Sequence, residues 1–468
     1  MLTTLAAPAF AATWRIEDGN ITVKAGDTEG TNKVSQGTII DKVDTNTIIT
    51  NSDKATASSN TVTIDAEDHK VEVTLDNVNI KADSGSALTS KGDVTLTLKG
   101  DNHLTGGNGD TYGGDGITSS GSLTISGGTV TANGDDGGRG ISSSGSVTIS
   151  GGSTVTANGG SGTISGGDGI WSGGGVTISG GSTVTANGGN GGSLVGGDGI
   201  RSGGGLTVSD GTVTAKGGNG DSKDGYGGDG IRSGGVVTIS GNTVNAAGGY
   251  GGKVGGYGIC SFDRVAISGG TVEAAGGNGS TGGGSGIYSS VIDLSGSLEL
   301  TAKAGSPNGK ALSQNGSELV LDTIKDKLGP GAKVTATDAN GETKQVSTPR
   351  PVEPEESSSS SDGGSAAPSA PASPLPGLTV TDKDGQRISY TSTQSGNTLT
   401  VCVGRLTASL HVSLAALRQL RAEGIDTITF QTILCSTTLS VDELLAMGGE
   451  DAEAVLTHRF TDSSLTVG

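Results

Sequence analysis

The sequence predicts an all-β protein: a right-handed parallel β-helix (a solenoid), followed by a linker and a small α+β domain. Three observations predict the solenoid. A pattern of the form G-D-G-I-x-S-x-G, V-T-I-S-G-G and T-V-T-A-N-G-G recurs over residues 88–312, its apolar anchor residue returns every 24 to 31 positions, and most of that variation falls in one part of the repeat. Repeats of this length indicate a solenoid, a propeller or another array. The anchors are Leu88, Ile117, Ile141, Ile170, Ile200, Ile231, Ile259, Ile287 and Leu312.

Each repeat divides into three short segments in which apolar and polar residues alternate. In the repeats that start at residues 117–259, the second segment begins 6 residues after the anchor, and the third begins 7 or 8 residues later. The length variation therefore lies after the third segment, in a run rich in Gly and Asn. Three strands of period 2, two fixed corners and one variable corner are typical of a β-helix coil. A propeller blade would need four strands and a hairpin rhythm, and the repeat has neither.

The interior of the predicted solenoid consists of small and branched side chains. Each coil supplies the anchor and apolar pairs such as Val147 and Ile149, which are buried only when neighbouring coils stack ~4.8 Å apart. A serine follows two residues after each of the first eight anchors, so it shares the anchor's parity and points inward. Because an unpaired buried hydroxyl is costly, we expect these serines to form hydrogen bonds along the stack.

Composition excludes several classes of protein. Glycine accounts for 88 of the 468 residues, but there is no G-X-Y period, so the chain is not collagen-like. A net charge of −19 argues against nucleic-acid binding, which needs a basic surface. No apolar run approaches the ~20 residues of a membrane span. The three cysteines, Cys260, Cys402 and Cys435, are too few for a disulfide framework; Cys402 and Cys435 either pair or remain reduced.

Four segments are predicted along the chain. Residues 1–11 resemble the end of a secretory signal peptide, because A-F-A at 9–11 follows a short apolar run; the alternative is a disordered terminus. This predicts a secreted or cell-surface protein. Residues 12–346 form the β-helix, with a cap and first coils over 13–86. Residues 347–376 are a Pro- and Ser-rich linker. Residues 377–468 form the small domain, for which docking to a cell wall or protein is favoured over catalysis.

The residue after each anchor is expected to face outward, because it has the opposite parity. Three consecutive coils place Trp171, Arg201 and Arg232 there, with Cys260 and Tyr288 on the next two. An exposed aromatic ring beside guanidinium groups suits a sugar face carrying carboxylates, which arginine binds bidentately. The alternative is a solvated face with chance residues. The predicted ligand-binding residues are Trp171, Arg201, Arg232 and Tyr288.

Two positions before the anchor, three adjacent coils carry Asp168, Asp198 and Asp229, and an earlier coil carries Asp115. Carboxylates ~4.8 Å apart repel by roughly 3.5 kcal/mol at an effective dielectric near 20, so something must offset that energy. The sequence leaves three possibilities: a calcium ion held by Asp168, Asp198 and Asp229, the neighbouring arginines, or backbone N–H groups of the turns.

Other patterns are weaker. T-x-T rows on the third segment, as at 129–131 and 154–156, resemble those of ice-binding β-helices, but outward threonine is also ordinary strand composition. The four histidines form no H-E-x-x-H pattern, and no catalytic motif stands out.

The sequence also resembles a known family. The runs V-T-L-D-N-V-N-I at 73–80, G-S-A-L at 85–88 and L-T-L-K-G-D-N at 96–102 are similar to the carbohydrate-binding right-handed β-helix proteins of clostridia. The resemblance covers roughly residues 60–320 and leaves out the C-terminal domain. It implies binding of cellulose or acidic plant polysaccharides such as polygalacturonate, together with bound calcium, although none of that family's calcium ligands can be placed on this chain.

Taken together, these features favour a secreted or cell-surface protein that binds plant cell-wall or acidic polysaccharide without catalysis, with calcium as the candidate cofactor. One alternative is a structural adhesin or stalk whose outward column binds nothing. Another is a calcium-dependent polysaccharide lyase on the same fold, with Arg201 or Arg232 as the base.

Overall fold

The computed structural model describes residues 12–109, 113–349 and 377–467, the last with gaps at 383–385, 389, 396, 404–406, 433–435, 448–452 and 460–461. The predicted signal-peptide remnant and most of the predicted linker therefore lie outside the described residues. The chain divides into two compact units, Met1–Glu355 and Glu356–Gly468. The predicted fold class is confirmed, because the first unit is a parallel β-solenoid of about 12 turns and the second is a small sheet domain.

The solenoid begins with a cap built from hairpins. Ile21–Ala25 pairs in parallel with Val62–Asp76. Asn32–Gln36 pairs in antiparallel fashion with Ile21–Ala25 on one side and with Ile39–Asp44 on the other. Trp14 is buried at this end, and its indole Nε1 donates to Asp44 Oδ2 at 2.9 Å. The elements are strands Thr13–Arg15, Ile21–Ala25, Asn32–Gln36, Ile39–Asp44, Ile48–Thr50, Val62–Asp76 and Asn79–Lys81, with a 3-10 helix at Ile16–Asp18.

The repeats form three parallel faces. First-face strands are Ile117–Ser119, Ile141–Ser143, Ile170–Ser172, Ile200–Ser202, Ile231–Ser233 and Leu312–Gln314. Second-face strands are Val147–Ser150, Val176–Ile178, Leu206–Val208 and Val237–Ile239. Third-face strands are Thr154–Asn158, Ser182–Asn187, Gly211–Lys216 and Thr243–Ala247. Leu123–Asn133 continues around one corner from the second face to the third, and three longer strands continue around two corners and so belong to all three faces: Leu88–Thr105, Ile259–Ala275 and Ile287–Lys303.

The predicted register is confirmed. The anchors pair with one another from coil to coil, as Ile170 does with Ile200 and Ile200 with Ile231, and every anchor is fully buried. The outward T-x-T rows also align, because Thr154–Asn158 pairs residue for residue with the strand of the next coil. A single repeat therefore fixes which side chains enter the interior in all the others.

The inward serines form hydrogen bonds along the stack, but to backbone rather than to each other. Ser172 Oγ donates to the Gly145 carbonyl at 2.8 Å, and Ser233 Oγ donates to the Gly204 carbonyl at 2.8 Å, each in the preceding coil. Ser90 is the exception among the described residues, because its buried Oγ has no partner. The serines thus satisfy carbonyls at the corner between the first and second faces.

Glycine is abundant because main chain packs against main chain at the variable corner. A Cβ added to Gly197 would lie 1.9 Å from the Gly167 carbonyl oxygen, and one on Gly228 would lie 2.0 Å from the Gly197 carbonyl oxygen. These contacts leave no room for any side chain. We call this set the glycine column: Gly114, Gly138, Gly167, Gly197, Gly228, Gly256 and Gly284.

A second cap closes the far end. Leu312–Gln314 folds back on Ser317–Glu318, a 3-10 helix follows at Leu321–Lys327, and Lys333–Thr337 stacks on the last long strand. Thr343–Ser347 then pairs with Lys333–Thr337 in antiparallel fashion. The capping turn expected at residues 324–328 is thus part of this helix and the residue that follows it.

The C-terminal unit is an α+β domain, as predicted, and its described residues form two four-stranded sheets with their own core. Ser413 caps the first helix, because its Oγ accepts the Ala416 N–H at 3.2 Å, and Ser440 does the same for Glu443 at 3.4 Å. One sheet contains Leu378–Thr381, Thr407–Ser413, Glu453–Arg459 and Asp462–Val467; the other contains Thr391–Ser395, Thr398–Cys402, Thr427–Gln431 and Ser436–Ser440. The helices are Leu414–Ala422 and Val441–Met447. Cys435 and the expected helix-ending Gly448 lie outside the described residues.

Candidate functional site

A groove of about 870 Å³ runs along the variable corner, lined from Gly113 to Tyr257 across six coils. Its lining side chains fall into three columns. The floor column stands two residues before the anchors, the arginine column one residue after them, and the loop column in the Gly-rich run. The floor column is Asp115, Arg139, Asp168, Asp198, Asp229 and Tyr257; the arginine column contributes Arg201 and Arg232; the loop column is Ser165, Val195, Tyr226 and Val254.

The floor carboxylates are tied together by backbone donors. The N–H of Asp198 donates to Asp168 Oδ1 at 2.8 Å, and the N–H of Asp229 donates to Asp198 Oδ1 at 2.7 Å. Tyr257 N–H continues the series to Asp229 Oδ1 at 2.7 Å, and Arg139 N–H does the same for Asp115. Each aspartate therefore accepts a bond from the next coil. Backbone N–H groups, one of the three possibilities left by the sequence, are present.

The second oxygen of each aspartate distinguishes the coils. Arg232 approaches Asp229 Oδ2 at 3.2 Å, and Arg139 approaches Asp168 Oδ2 at 3.5 Å. Thr118 donates its hydroxyl to Asp115 Oδ2 at 2.8 Å. Asp198 Oδ2 has no donor within hydrogen-bond distance among the described residues. Arginines, a second possibility left by the sequence, therefore compensate two of the three stacked carboxylates.

Burial changes the acidity of the floor. Asp168, Asp198 and Asp229 are 4–7% exposed. Burial raises the pKa of Asp229 to about 6, against the opposing effect of the Tyr257 N–H and Arg232. The pKa of Asp198 rises well above its ordinary value, first because of burial and then because it lies between the charges of Asp229 and Asp168. Burial also raises the pKa of Asp168.

The predicted outward arginines have unequal roles. Arg232 bonds to Asp229 and its guanidinium lies 5.1 Å from the ring centre of Phe262. Arg201 stands in the same position one coil earlier, three residues after Asp198, and is exposed. Within the described ranges Arg201 forms no ion pair, hydrogen bond or ring contact. It is therefore the arginine of this column that is available to a ligand.

Trp171 lies beside the groove rather than in its lining. The Arg139 guanidinium covers it, 4.6 Å from the ring centre, and also reaches Asp168. One face of the ring therefore already holds a cation, and contact of Trp171 with a sugar stays a prediction. The ring orients an arginine that lines the groove.

Tyr288 likewise acts through a neighbour. Its ring stacks on Tyr257 with centres 5.0 Å apart and 18° between planes, and Tyr257 lines the groove while Tyr288 does not. Cys260 keeps the register of the outward column but is 1% exposed, so it presents no surface to a ligand. Its register partners, Arg232 and Tyr288, are much larger and flank it on both sides. Burial raises the pKa of its thiol to about 12.

The loop column forms an apolar edge. Val195 and Tyr226 are 41% and 43% exposed, and their backbones pair from coil to coil together with Ser165 and Val254. The loops at the variable corner are therefore ordered by the same stacking as the strands. The arginines and the floor carboxylates line the same groove as this edge.

Sequence reasoning missed Arg139, Tyr226 and Tyr257. Arg139 and Tyr257 occupy the same floor column as the aspartates, and reading that column without restricting it to acidic residues identifies both. Tyr226 lies in a run whose length differs from coil to coil, so its alignment with Val195 becomes clear only from the paired loop backbones.

No group of three or more His, Cys, Asp or Glu side chains within the described ranges is arranged to hold a metal ion. In the floor column, one oxygen of each aspartate already accepts a backbone N–H. The calcium site expected at Asp168, Asp198 and Asp229 stays a prediction.

Comparisons with protein-family models, with curated proteins and with solved structures give no significant match. The likeness to the clostridial proteins therefore remains a resemblance of sequence pattern. Of the helices in the described residues, none is both long enough and apolar enough to cross a membrane.

Proposed function

We propose that the protein binds an acidic polysaccharide along this groove and does not cleave it. The observation that carries the proposal is the groove itself, which is lined by three arginines and by the exposed apolar side chains of Val195 and Tyr226. A uronic-acid polymer presents both chemistries, because its sugar rings have apolar C–H faces and its carboxylates project to the side.

The spacing of the groove supports a polymer over a small molecule. Successive coils repeat every ~4.8 Å, which is close to the advance of one pyranose unit along an extended chain. Equivalent side chains therefore return at about the period of the sugar. A chain lying parallel to the solenoid axis meets a similar environment at each coil.

Local charge supports an acidic ligand although the whole chain carries −19. Arg139, Arg201 and Arg232 line the groove and place positive charge beside the floor aspartates. Arginine also binds planar carboxylates with two parallel hydrogen bonds.

Isothermal titration of the full chain with polygalacturonate tests the proposal, using Tyr226→Ala and the matched control Tyr250→Ala. Both tyrosines are exposed to a similar degree, but only Tyr226 lines the groove. We expect Tyr226→Ala to weaken binding about tenfold, roughly 1.4 kcal/mol, and Tyr250→Ala to leave it unchanged.

The same samples separate the alternatives. Absorbance of an unsaturated product appearing with time would indicate a lyase. No binding of any acidic glycan by the native protein would favour the structural adhesin or stalk. The proposal also implies a location outside the cell or on its surface, with the C-terminal domain docking to a wall or protein, which fractionation of the producing cells would check.

A further inference from the structure

The middle coil of the groove differs from its neighbours. Asp168 is compensated by Arg139, and Asp229 by Arg232, so both flanking carboxylates have internal partners. Asp198 is 6% exposed, lines the groove, and uses only Oδ1, to accept the Asp229 N–H. Arg201, three residues on, forms no ion pair in the described part of the chain. The Arg201 charge acts on Asp168 and Asp229 without a hydrogen bond or ion pair to either. One acceptor and one donor that line the same groove are thus left for a ligand.

We infer that Asp198 and Arg201 form a central subsite for a hexuronate with a free hydroxyl group. The Arg201 guanidinium binds the sugar carboxylate, and Asp198 Oδ2 pairs with a hydroxyl of the same or the adjoining sugar. This subsite rests on the proposed function, since it assigns one contact pair within the same groove.

A hydroxyl is the ligand group that fits Asp198. Asp198 accepts one hydrogen bond from the protein, at Oδ1, and its Oδ2 is left for a group in the groove. A ligand hydroxyl that donates to Oδ2 adds a charge-assisted hydrogen bond where little solvent reaches the side chain. A ligand hydroxyl can donate a hydrogen bond to the ionised carboxylate of Asp198, and it can accept one from the protonated carboxyl group. A ligand carboxylate placed there would instead add a further negative charge to the floor.

The flanking coils do not offer the same contact. Arg232 would have to leave Asp229 and the Phe262 ring to bind a ligand, and Arg139 would have to leave Asp168 and Trp171. Arg201 loses no such contact on binding. We therefore assign the specificity of the groove to its central coil.

Asp198 and Arg201 should disfavour two chemical modifications of the ligand. Methyl esterification removes the charge that Arg201 binds. O-acetylation removes the hydroxyl hydrogen that Asp198 accepts, and a site built around a hydrogen bond strongly rejects an analogue that lacks it. We expect the native protein to prefer unmodified hexagalacturonate at least tenfold over its methyl-esterified or O-acetylated forms at pH 8.

Isothermal titration of Arg201→Gln and Asp198→Asn in the full chain tests the two contacts separately. Arg201→Gln should bind acidic and methyl-esterified hexamers equally. In Asp198→Asn the Asp229 N–H holds the amide oxygen at the Oδ1 position, so the NH₂ group faces the groove and donates to an acetyl carbonyl. This variant should lose the discrimination against O-acetylated hexamer but keep the preference for the acidic form.

Arg264→Gln is the matched control, because Arg264 is exposed and outside the groove. It should retain both preferences, and circular dichroism would check the fold of all three variants. If the native protein binds the hexamer and both groove variants keep its preferences, the subsite is wrong while the proposed function stands. If the native protein binds no acidic glycan, the proposed function fails and the subsite fails with it.

Discussion

Asp198 is the least compensated side chain of the groove floor. Burial and the charges of Asp229 and Asp168 raise its pKa well above the ordinary value, and one of its oxygens has no donor among the described residues. Such a group is retained at a cost to stability, as expected for a residue that acts on a ligand rather than on the fold.

Replacing Asp198 by Asn should therefore stabilise the protein. The amide still accepts the Asp229 N–H but carries no charge, so burial and the charges of Asp229 and Asp168 no longer oppose it. The free energy of unfolding at pH 8 should rise by about 1 to 3 kcal/mol, the usual desolvation cost of a buried polar group. Urea unfolding would measure the change. Asp210→Asn is the control, because Asp210 is exposed and should shift stability by less than about 0.5 kcal/mol. A less stable Asp198→Asn would contradict this view of the floor.

Stability should also depend on pH through the floor. The pKa of Asp229 is raised from 3.8 to about 6, so between these values the folded chain holds more protons than the unfolded chain. The free energy of unfolding should therefore fall as pH rises from 4 to 6, with the cost fully present above pH 6. The pKa of Asp198 is raised as well, so Asp198 adds to this fall. The melting temperature of Asp198→Asn should therefore decrease less between pH 4 and pH 6 than that of the native chain.

At the level of single residues, the sequence predicted which side chains lie near one another better than it predicted their contacts. Asp168, Asp198, Asp229, Arg201 and Arg232 all line the groove, because parity and register place them there. Trp171 and Tyr288 were expected to touch the ligand themselves, yet each stacks on a residue that lines the groove. Stacking between coils depends on side-chain conformations, and periodicity does not specify those.

The glycine column sets how closely the coils approach at the variable corner. Gly197 and Gly282 provide a comparison between two turns of the same solenoid. A Cβ on Gly197 would lie 1.9 Å from a carbonyl oxygen, whereas one on Gly282 would meet nothing nearer than the Val254 side chain at 3.8 Å. Backbone cannot move aside as a flexible side chain does.

Gly197→Ala should thus lower the free energy of unfolding by about 1 to 3 kcal/mol or more. Gly282→Ala should leave it unchanged or raise it by up to about 1 kcal/mol, because alanine restricts the unfolded chain. Denaturant midpoints of the two variants would measure the difference. Equal midpoints would mean that the corner is not packed main chain on main chain.

Among the elements, the sequence predicted the repeat strands and both capped helices of the C-terminal domain. These have direct local causes in alternating apolar residues and in Ser413 and Ser440 as N-caps. It did not predict strands such as Glu453–Arg459 and Asp462–Val467, which pair with each other. Their sequences lack a clear pattern of alternating apolar residues bounded by turn residues. Their place is decided by the sheet that they join.

Over the whole molecule, charge is the main obstacle to the proposed ligand. A chain of net charge −19 and a polyanion repel each other at long range, and only close contacts in the groove oppose this. Divalent calcium would neutralise carboxylates on both partners.

We therefore expect polygalacturonate to bind more tightly with calcium than with a chelator, by isothermal titration at constant ionic strength. Magnesium is the control, because it keeps its waters more firmly and bridges carboxylates less well. Equal affinity in calcium and chelator would show that the arginines overcome the repulsion without a metal ion.

The architecture of the solenoid was accessible from sequence because one repeat defines all of them. The groove was not, since it depends on loops that differ in length. The loops adopt regular positions because their backbones pair between coils, as at Gly191, Gly220 and Gly251. No residue pattern predicts that pairing.

The paired loops have a consequence for how such a chain changes over evolutionary time. One row of bridges joins Gly162, Gly191, Gly220, Gly251 and Gly279, and another joins Ser165, Val195, Tyr226, Val254 and Gly282. The two rows are separated by two, three, five, two and two residues in successive coils. Insertions between the rows are thus absorbed at the loop tip, so a new surface peptide can be gained there by natural variation or by engineering while every coil keeps its alignment.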